Sequence, residues 1–200
     1  MIARLARPLA AGALFVMSCA FPAGADEKIS VCFNYGCAAQ AEVVFSDAQL
    51  MELKNLLDRA QNPAQEREAV GEAVGRLLGW AGRQSPIAAD RGGNYADDAA
   101  YGRMDCIDHA TSTTRLLRLM ERRGLLRFHR VAEPVRRHRF LIFQHDAARI
   151  EEIENGENGA ESAGGEASAF VVDSWFFDNG RPAAVMPLID WMAGETPDGA

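Results

Sequence analysis

The stretch GRMDCIDHA, residues 102–110, introduces the pattern that decides the fold of this chain. Apolar residues follow it at helical spacing up to about Arg123, with Asp105 as the N-cap and Gly124 as the stop signal. Cys106 therefore lies in the first turn of a predicted helix, on its inward face. Because unpaired N–H groups of a first turn favour thiolate over thiol, the sequence predicts a nucleophilic Cys106 with a pKa below the usual ~8.5.

Two other residues, much later in the chain, supply the remaining parts of a catalytic group. His145 follows a strand-like run, and Asp173 lies inside the apolar run FVVDSW, residues 170–175. A buried carboxylate is costly unless it is paired, so the apolar neighbours of Asp173 indicate a functional partner. A thiolate, an imidazole and an acceptor for the second ring nitrogen make a Cys-His-Asp triad. Trp175 is expected either to wall this site or to pack in the core.

The segments around Cys106 and Asp173 resemble the cysteine and aspartate motifs of bacterial transglutaminase-like cysteine peptidases, over roughly residues 101–191. The resemblance implies an α+β, papain/transglutaminase-like fold, with N-terminal helices and the nucleophile helix packed on an antiparallel sheet. It also implies that Cys106 attacks, His145 activates the thiol and Asp173 orients the imidazole. The sequence departs from the family at the histidine, because Asp146 follows His145 where the family has an apolar strand.

His138 is the alternative base. It precedes RFLIF, residues 139–143, which is a better strand pattern than the one that follows His145. Pairing His138 with Asp173 would need a first hairpin arm of about 16 residues, beyond the usual length of a strand. A hairpin across residues 154–168 places His145 opposite Asp173 with strands of ordinary length, which favours His145.

The roles of the remaining histidines, and a candidate zinc site, are weaker hypotheses. His109 follows Cys106 by three residues on the same helix, and it is expected to support the site or to lie at the surface. His129 is expected to pack in the core or to lie at the surface. Cys106 and His109 could contribute zinc ligands, but no second close Cys/His pair supplies zinc spacing.

Calcium is the other metal that the sequence raises. The polar loop 85–101 contains Asp90, Asp97 and Asp98, whose oxygens are of the type that calcium prefers. Their spacing does not match an EF-hand loop, so a solvated loop is the favoured interpretation. The sequence therefore predicts no cofactor, with calcium as the alternative.

Residues 1–25 are predicted to be a cleaved export signal. They combine two early arginines, an apolar segment at 9–17 and a small-residue cleavage site at 23–25. The apolar segment is too short to span a membrane. A lipoprotein-type cleavage that leaves Cys19 lipidated is the alternative. Either route predicts a periplasmic or secreted protein without a transmembrane segment.

Residues 26–200 are then predicted to form a single domain. The formal charge of −7 becomes −9 once the two arginines of the signal are removed, which argues against nucleic acid and anionic membranes as partners. In an oxidising compartment Cys32 and Cys37 can close a small disulfide loop, leaving Cys106 as a free thiol.

Hydrophobic periodicity divides this domain into a helical first half and an extended second half. Residues 154–168 have no apolar side chain larger than alanine and are expected to form a mobile hairpin excursion. Close helix packing is expected at three glycines of the second helix. Strands are predicted at 31–37, 41–45, 125–131, 140–144, 147–153 and 170–177, and helices at 46–60, 63–82, 106–123 and 187–193.

The leading functional hypothesis is an exported cysteine hydrolase, a peptidase or amide acyl-transferase with a peptide or protein substrate. Cys106 attacks an amide, His145 moves the proton, Asp173 orients the ring, and N–H groups near the helix start hold the oxyanion. The alternative is a non-catalytic binding or envelope-maintenance module on the same fold. Reactivity of the Cys106 thiol discriminates between the two, because a binding module does not require it.

Overall fold

The computed structural model describes residues 26–93, 100–139, 143–155, 161–163 and 168–198. The expected export signal, including Cys19, lies outside these residues. The elements in chain order are β1 (Glu27–Phe33), β2 (Ala39–Phe45), α1 (Asp47–Leu57), α2 (Pro63–Gly82), α3 (Cys106–Arg122), β3 (His129–Arg139), β4 (Phe143–Asn155), β5 (Glu161–Ala163), β6 (Ala169–Asp173), β7 (Ala184–Pro187) and α4 (Leu188–Ala193), with a short 3-10 turn at Pro86–Ala89 between α2 and α3.

The described strands form two antiparallel sheets. β1 and β2 make a hairpin, and the second sheet has the order β3-β4-β6-β7 with β5 paired to the end of β4. Helices and antiparallel sheets in one chain confirm the predicted α+β class. The finer papain/transglutaminase-like arrangement stays a prediction.

The two faces of β4 pack against different apolar clusters, so the face on which a β4 side chain lies determines its neighbours. Ala148 belongs to the main core together with the buried leucines of α3, whereas Ala147 packs with Trp191 of α4. Successive side chains of a strand point to opposite faces. His145 therefore shares the α4 face of the sheet, and Asp146 shares the α3 face.

The N-terminal helices begin where the sequence predicts. Ser46 and Gln49 form a complete capping box ahead of α1, and Asn62 caps α2 with Pro63 in its first turn. Buried aliphatic side chains of both helices join the main core with β1, β2 and α3. The helical first half of the prediction is thus confirmed to within a few residues.

The glycines of α2 lie against the segment that leads into β7. A Cβ atom on Gly71 would lie 2.7 Å from the carbonyl oxygen of Ala183, and one on Gly75 would overlap the carbonyl oxygen of Arg181. The obstacle in both cases is backbone, which cannot swing aside as a side chain can. Close packing is therefore present as expected, but its partner is the non-helical segment 180–183 and not another helix.

Gly75→Ala is expected to destabilise the protein by about 2 kcal/mol, because the methyl group forces α2 away from Arg181. Urea unfolding followed by circular dichroism measures the change. Gly82→Ala is the matched control, since its Cβ would meet Ala88 at an ordinary 3.6 Å. Equal unfolding midpoints for the Gly75 variant and the unmodified chain would contradict the close packing.

Several predicted strand boundaries are wrong. The sequence pattern leaves a gap between strands at 125–131 and 140–144, but β3 runs through this gap, and residues 140–142 lie outside the described part. β3 is an edge strand with a register shift between Ala132 and Val135, next to Pro134. An edge position and a bulge accommodate a proline and solvent-exposed charges. At the N-terminus the first strand ends at Phe33 rather than at residue 37, and β6 ends at Asp173 rather than at residue 177.

The excursion at 154–168 begins as a regular hairpin arm. β4 continues to Asn155, and β5 pairs back on it with Ile153 opposite Ala163. Residues 156–160 and 164–167 lie outside the described part. The predicted hairpin is present in the described pairs, and its mobility stays a prediction.

A buried acid and histidine join α2 to the start of β3. The Glu66 carboxylate, 0% exposed, lies 2.8 Å from Nδ1 of His129 and accepts backbone N–H groups of Arg127 and Phe128. Burial raises the pKa of Glu66. The hydrogen bonds from His129 and the two backbone donors together lower the pKa by more than burial raises it, so the net pKa lies below the ordinary value. His129 is thus a paired core residue, the first of the two expected outcomes.

Glu66→Gln is expected to lower the free energy of unfolding by about 3 kcal/mol at pH 7, because the buried imidazole and backbone donors lose their carboxylate. A depressed carboxyl pKa stabilises the fold above its unfolded pKa, and this contribution disappears as pH falls through the folded value. Urea unfolding of both proteins at pH 7 and pH 4 measures this. A difference between the proteins that does not shrink at pH 4 would refute the assignment.

Candidate active site

Cys106 occupies the first position of α3, as the sequence predicts. Asp105 is the N-cap, and its side chain and that of Asp108 bond reciprocally to each other's backbone N–H groups. Gly124, with φ +65°, ends the helix. Cys106 is half-buried and is a free thiol, while Cys32 and Cys37 form the expected disulfide. The division of the cysteines is therefore confirmed for the described part of the chain.

His145 and Asp173 lie on the neighbouring strands β4 and β6. Nε2 of His145 is 2.7 Å from Oδ2 of Asp173, and the His145 side chain is only 14% exposed. The same carboxylate oxygen accepts the indole N–H of Trp191 at 3.0 Å, and Oδ1 accepts the backbone N–H of Trp175 at 3.1 Å. An ionised carboxylate can only accept, so Nε2 of His145 carries the proton and Nδ1 is the basic atom of the neutral ring.

Aromatic side chains enclose this pair. The centroid of the His145 imidazole lies 5.0 Å from the centroid of the Trp175 ring, edge to face. It lies 5.6 Å from the ring centroids of both Phe176 and Trp191. Cys106 packs against the cluster that contains Trp175 and Phe176. The thiol and the imidazole therefore contact the same aromatic cluster from two sides. Trp175 contacts the imidazole and is itself buried in this apolar cluster, so the structure agrees with both of its expected roles.

The thiol itself bonds to neighbours of His145 and not to the ring. Sγ of Cys106 lies 3.8 Å from Oδ2 of Asp146 and 3.9 Å from the carbonyl oxygen of Gln144. Among the described residues, no hydrogen bond links Cys106 to His145. The alternation along β4 is the reason, because Asp146 faces α3 whereas His145 faces α4. Of the three predicted site residues, the structure hydrogen-bonds His145 to Asp173 and sets Cys106 beside them.

The expected lowering of the Cys106 pKa is wrong for this arrangement. Burial raises the pKa of Cys106 to about 11, and the nearby charges of Asp146, Asp105 and Asp173 raise it as well. A backbone hydrogen bond from Asp146 opposes them only in part. The favourable field of the helix start is outweighed because carboxylates and apolar walls surround the sulfur. At neutral pH the resting thiol is protonated.

Asp146→Asn is expected to increase the rate of Cys106 alkylation by iodoacetamide at pH 8 about three- to tenfold, because one of the charges that disfavour the thiolate is removed. The pH midpoint of alkylation should move down from about 11 toward 9. Asp58→Asn, at the exposed C-terminal end of α1, is the control and should leave the midpoint unchanged. An unchanged midpoint in Asp146→Asn would show that this carboxylate does not hold the proton on the thiol.

His138 does not lie next to Asp173. It is exposed on β3 and pairs with Gln144 in the register of β3 and β4. β4 lies between β3 and β6, so His138 is two strands away from Asp173. The preference for His145 agrees with this geometry, although His145 lies inside β4, whereas the sequence predicts a position after the end of a strand.

His109 and Asp90 form a buried network that the sequence does not predict. Nε2 of His109 is 3.0 Å from Oδ2 of Asp90, and Nδ1 is 2.9 Å from Oγ of Ser174, which also bonds to Thr113. Oδ1 of Asp90 accepts the backbone N–H of Met104. The expectation of a solvated Asp90 is wrong, because both of its oxygens are occupied inside the protein. The network joins the residues before Cys106 to the residue after Asp173.

The described residues give little support to the zinc and calcium hypotheses. The ring nitrogens of His109 are both engaged, so His109 does not present a zinc ligand beside Cys106. Asp97 and Asp98 lie outside the described part, and Asp90 is engaged as above. Three groups with ligand atoms within 4.8 Å do meet at Cys32, Cys37 and Asp108. The disulfide uses both sulfurs of that group, which leaves Asp108 alone to offer a ligand atom.

Two contacts of the site are not revealed by the sequence. Trp191 belongs to the predicted closing helix, but its bond to Asp173 depends on how α4 docks under the sheet, which periodicity does not reveal. Asp146 departs from the family pattern at a position beside His145. The sequence prediction turns His145 toward Cys106, and strand alternation would then turn Asp146 away from the thiol, so the contact of Asp146 with Cys106 is not revealed by the sequence.

Comparison with known proteins finds no family model, no curated protein and no solved structure that matches this chain. Membership of the transglutaminase-like peptidases stays a prediction from sequence motifs. Within the described residues, none of the helices combines the length and the apolar character needed to cross a bilayer.

Proposed function

We propose that the chain is an exported cysteine hydrolase or acyl-transferase that acts on peptide or glutamine-type amides through Cys106, His145 and Asp173. The observation that carries the proposal is the buried hydrogen bond between His145 and Asp173 beside a free, half-buried thiol. Asp173 fixes the tautomer of the ring and leaves Nδ1 as the base. The Cys32–Cys37 disulfide supports an oxidising compartment outside the cytoplasm.

The high pKa of the resting thiol sets the order of events. Sγ first exchanges its contact with Asp146 for Nδ1 of His145, which takes the thiol proton as Sγ bonds to the amide carbon. The C–N bond then breaks, and the imidazolium returns that proton to the leaving amine. Water, deprotonated by His145, cleaves the thioester and restores the thiol, while an amine in its place completes acyl transfer.

Charge on the developing oxyanion needs donors near the sulfur. The N–H groups of Cys106 and Ile107 belong to the first turn of α3, where no intrahelical acceptor exists. The N–H of Asp108 is already used by Asp105. The first two N–H groups of α3 are therefore the donors that we assign to the oxyanion.

A non-catalytic binding module is the second candidate, and one observation favours it. Asp146 lies beside Sγ and Arg136 holds its other oxygen at 2.8 Å, so the carboxylate is fixed where it opposes ionisation of the thiol. A protein that only binds a partner would keep such a thiol inert. Reactivity toward an acyl donor separates the two candidates.

The experiment is acylation of Cys106 by p-nitrophenyl acetate, read as p-nitrophenolate release and as an acetyl group on the Cys106 peptide. A hydrolase should show a burst followed by steady turnover, and Cys106→Ser should show neither. A panel of peptide amides then tests the natural chemistry. Slow, stoichiometric acetylation no faster than that of a free thiol with the same pKa would favour the binding module.

A further inference from the structure

The turn between β1 and β2 has an unusual backbone. Asn34, Tyr35, Gly36 and Cys37 have φ values of 64°, 65°, 63° and 59°, so four consecutive residues adopt the left-handed conformation. L-residues other than glycine rarely adopt it, and then as single residues. Consecutive left-handed residues turn their N–H groups toward one side and so form a concave site for an anion.

The anions at this turn are the two carboxylates that cap α3. The N–H groups of Tyr35 and Cys37 donate to the two oxygens of Asp108 at 2.8 and 2.6 Å, and the N–H of Gly36 donates to Asp105 at 2.9 Å. These bonds to ionised acceptors are of the stronger kind. The turn therefore holds the residue immediately before Cys106 and the residue two positions after it.

The same turn also holds the chain on either side of this pair. The N–H of Asn34 donates to the carbonyl oxygen of Arg103 at 2.8 Å, and its side-chain oxygen accepts the N–H of Gly102 at 2.8 Å. One helical turn beyond Asp108, Ser112 accepts the N–H of Cys32 at 2.9 Å. The Cys32–Cys37 disulfide closes the loop that presents all of these groups.

We propose that the disulfide loop, residues 32–37, is a positioning element for Cys106, and that reduction of its disulfide releases the start of α3 and changes the reactivity of the thiol. Reduction by a dithiol transfers two electrons and two protons to the sulfurs of Cys32 and Cys37, while the reductant becomes a cyclic disulfide. The turn then loses its covalent closure, and its three N–H groups leave the capping carboxylates.

The effect on Cys106 follows from the loss of these bonds. Without the turn, the first turn of α3 frays, and Cys106 becomes more exposed to water. The burial that raises its pKa falls, so the pKa should return toward the ordinary value. The carboxylates whose charges chiefly raise the Cys106 pKa are Asp146, Asp105 and Asp173, so replacement of Asp108 tests position more than charge. The inference rests on the proposed function in naming Cys106 as the nucleophile.

The test measures iodoacetamide alkylation of Cys106 against pH, resolved by mass spectrometry of the tryptic peptide 104–115. Reduction with dithiothreitol should speed alkylation at pH 8 at least about tenfold and lower its pH midpoint, since hydrogen bonds to charged groups are lost. Reoxidation should restore both values. Asp108→Asn, which keeps the disulfide, should also raise the alkylation rate and lower the pH midpoint. If circular dichroism shows that the reduced chain is unfolded, this variant provides the test instead.

Asp47→Asn is the matched control, because Asp47 occupies the first turn of α1 as Asp108 does in α3. It should change neither value. Unchanged alkylation after reduction and in Asp108→Asn would overturn the inference, as would an equal shift in the control. If alkylation shifts but no form of the protein turns over p-nitrophenyl acetate, the proposed function fails and the positioning role stands. Turnover with unshifted alkylation would overturn the positioning role and leave the proposed function standing.

Discussion

Asp173→Asn is expected to lower the rate of Cys106 acylation by up to about 10⁴-fold, the loss that triads of this kind can show. Asp173 uses both oxygens as acceptors, one for His145 and Trp191 and the other for the Trp175 N–H. An amide presents one acceptor and one NH₂ group, so at least one of these donors faces another donor. The ring then loses the partner that keeps its proton on Nε2.

The measurement is p-nitrophenolate release at pH 7.5 with the fold checked by circular dichroism. Asp190→Asn on α4 is the control, because it makes the same chemical change near the site at a residue with no hydrogen bond to His145 among the described residues. It should retain nearly full rate. If Asp173→Asn acylates as fast as the unmodified protein, Asp173 has no role in orienting the imidazole.

His145→Ala is expected to lower acylation about 10³-fold, within the range attributed to a general base, while His138→Ala should leave it nearly unchanged. His145 is bonded to Asp173 and enclosed by aromatic rings. His138 is exposed on the edge strand β3, two strands from Asp173. The paired variants therefore remove the same chemical group from two very different places.

The rate constant of acylation distinguishes the two variants. At pH 7.5 the rate constant should fall in His145→Ala and stay close to that of the unmodified protein in His138→Ala. A dependence on His138 with His145 dispensable would move the site to β3. Equal, small effects of both changes would leave the binding module as the better candidate.

The helical half of the fold was predictable because its signals are local. Ser46, Asn62 and Asp105 each start a helix by bonding their own first turn, and Gly124 ends α3 with a positive φ. Cys106 could be placed at the start of α3 on these grounds alone. The Cys32–Cys37 pairing followed from sequence proximity and from the odd number of cysteines after the predicted signal.

The sheet was harder to predict because tertiary pairing overrides local pattern. The charge-rich segment 132–139 has no alternation of apolar and polar side chains, yet it forms most of β3, because an edge strand needs only one neighbour. β4 spans 13 residues, so strand length alone gives no reason to exclude His138. The better reason to exclude His138 is the strand order β3-β4-β6, which places β4 between His138 and Asp173.

The electrostatics of the thiol could not be derived from its place on the helix. The field of a helix start is a local property, and it favours ionisation of Cys106. Asp146 arrives from β4 and Asp173 from β6, and together with burial they reverse the direction of the pKa shift. The left-handed turn at 34–37 was equally hidden, since only Asn34 and Gly36 are residue types that favour such a conformation, whereas Tyr35 and Cys37 are not.

The proposed activation of Cys106 by His145 is tested most directly by the acyl-enzyme itself. Brief exposure to p-nitrophenyl acetate is followed by an acid quench and by mass analysis of the peptide that contains Cys106. We expect an acetyl group on Cys106 in the unmodified protein and in His138→Ala, formed about 10³-fold more slowly in His145→Ala. Acetylation at the same rate in all three proteins would contradict the activation of this thiol by His145.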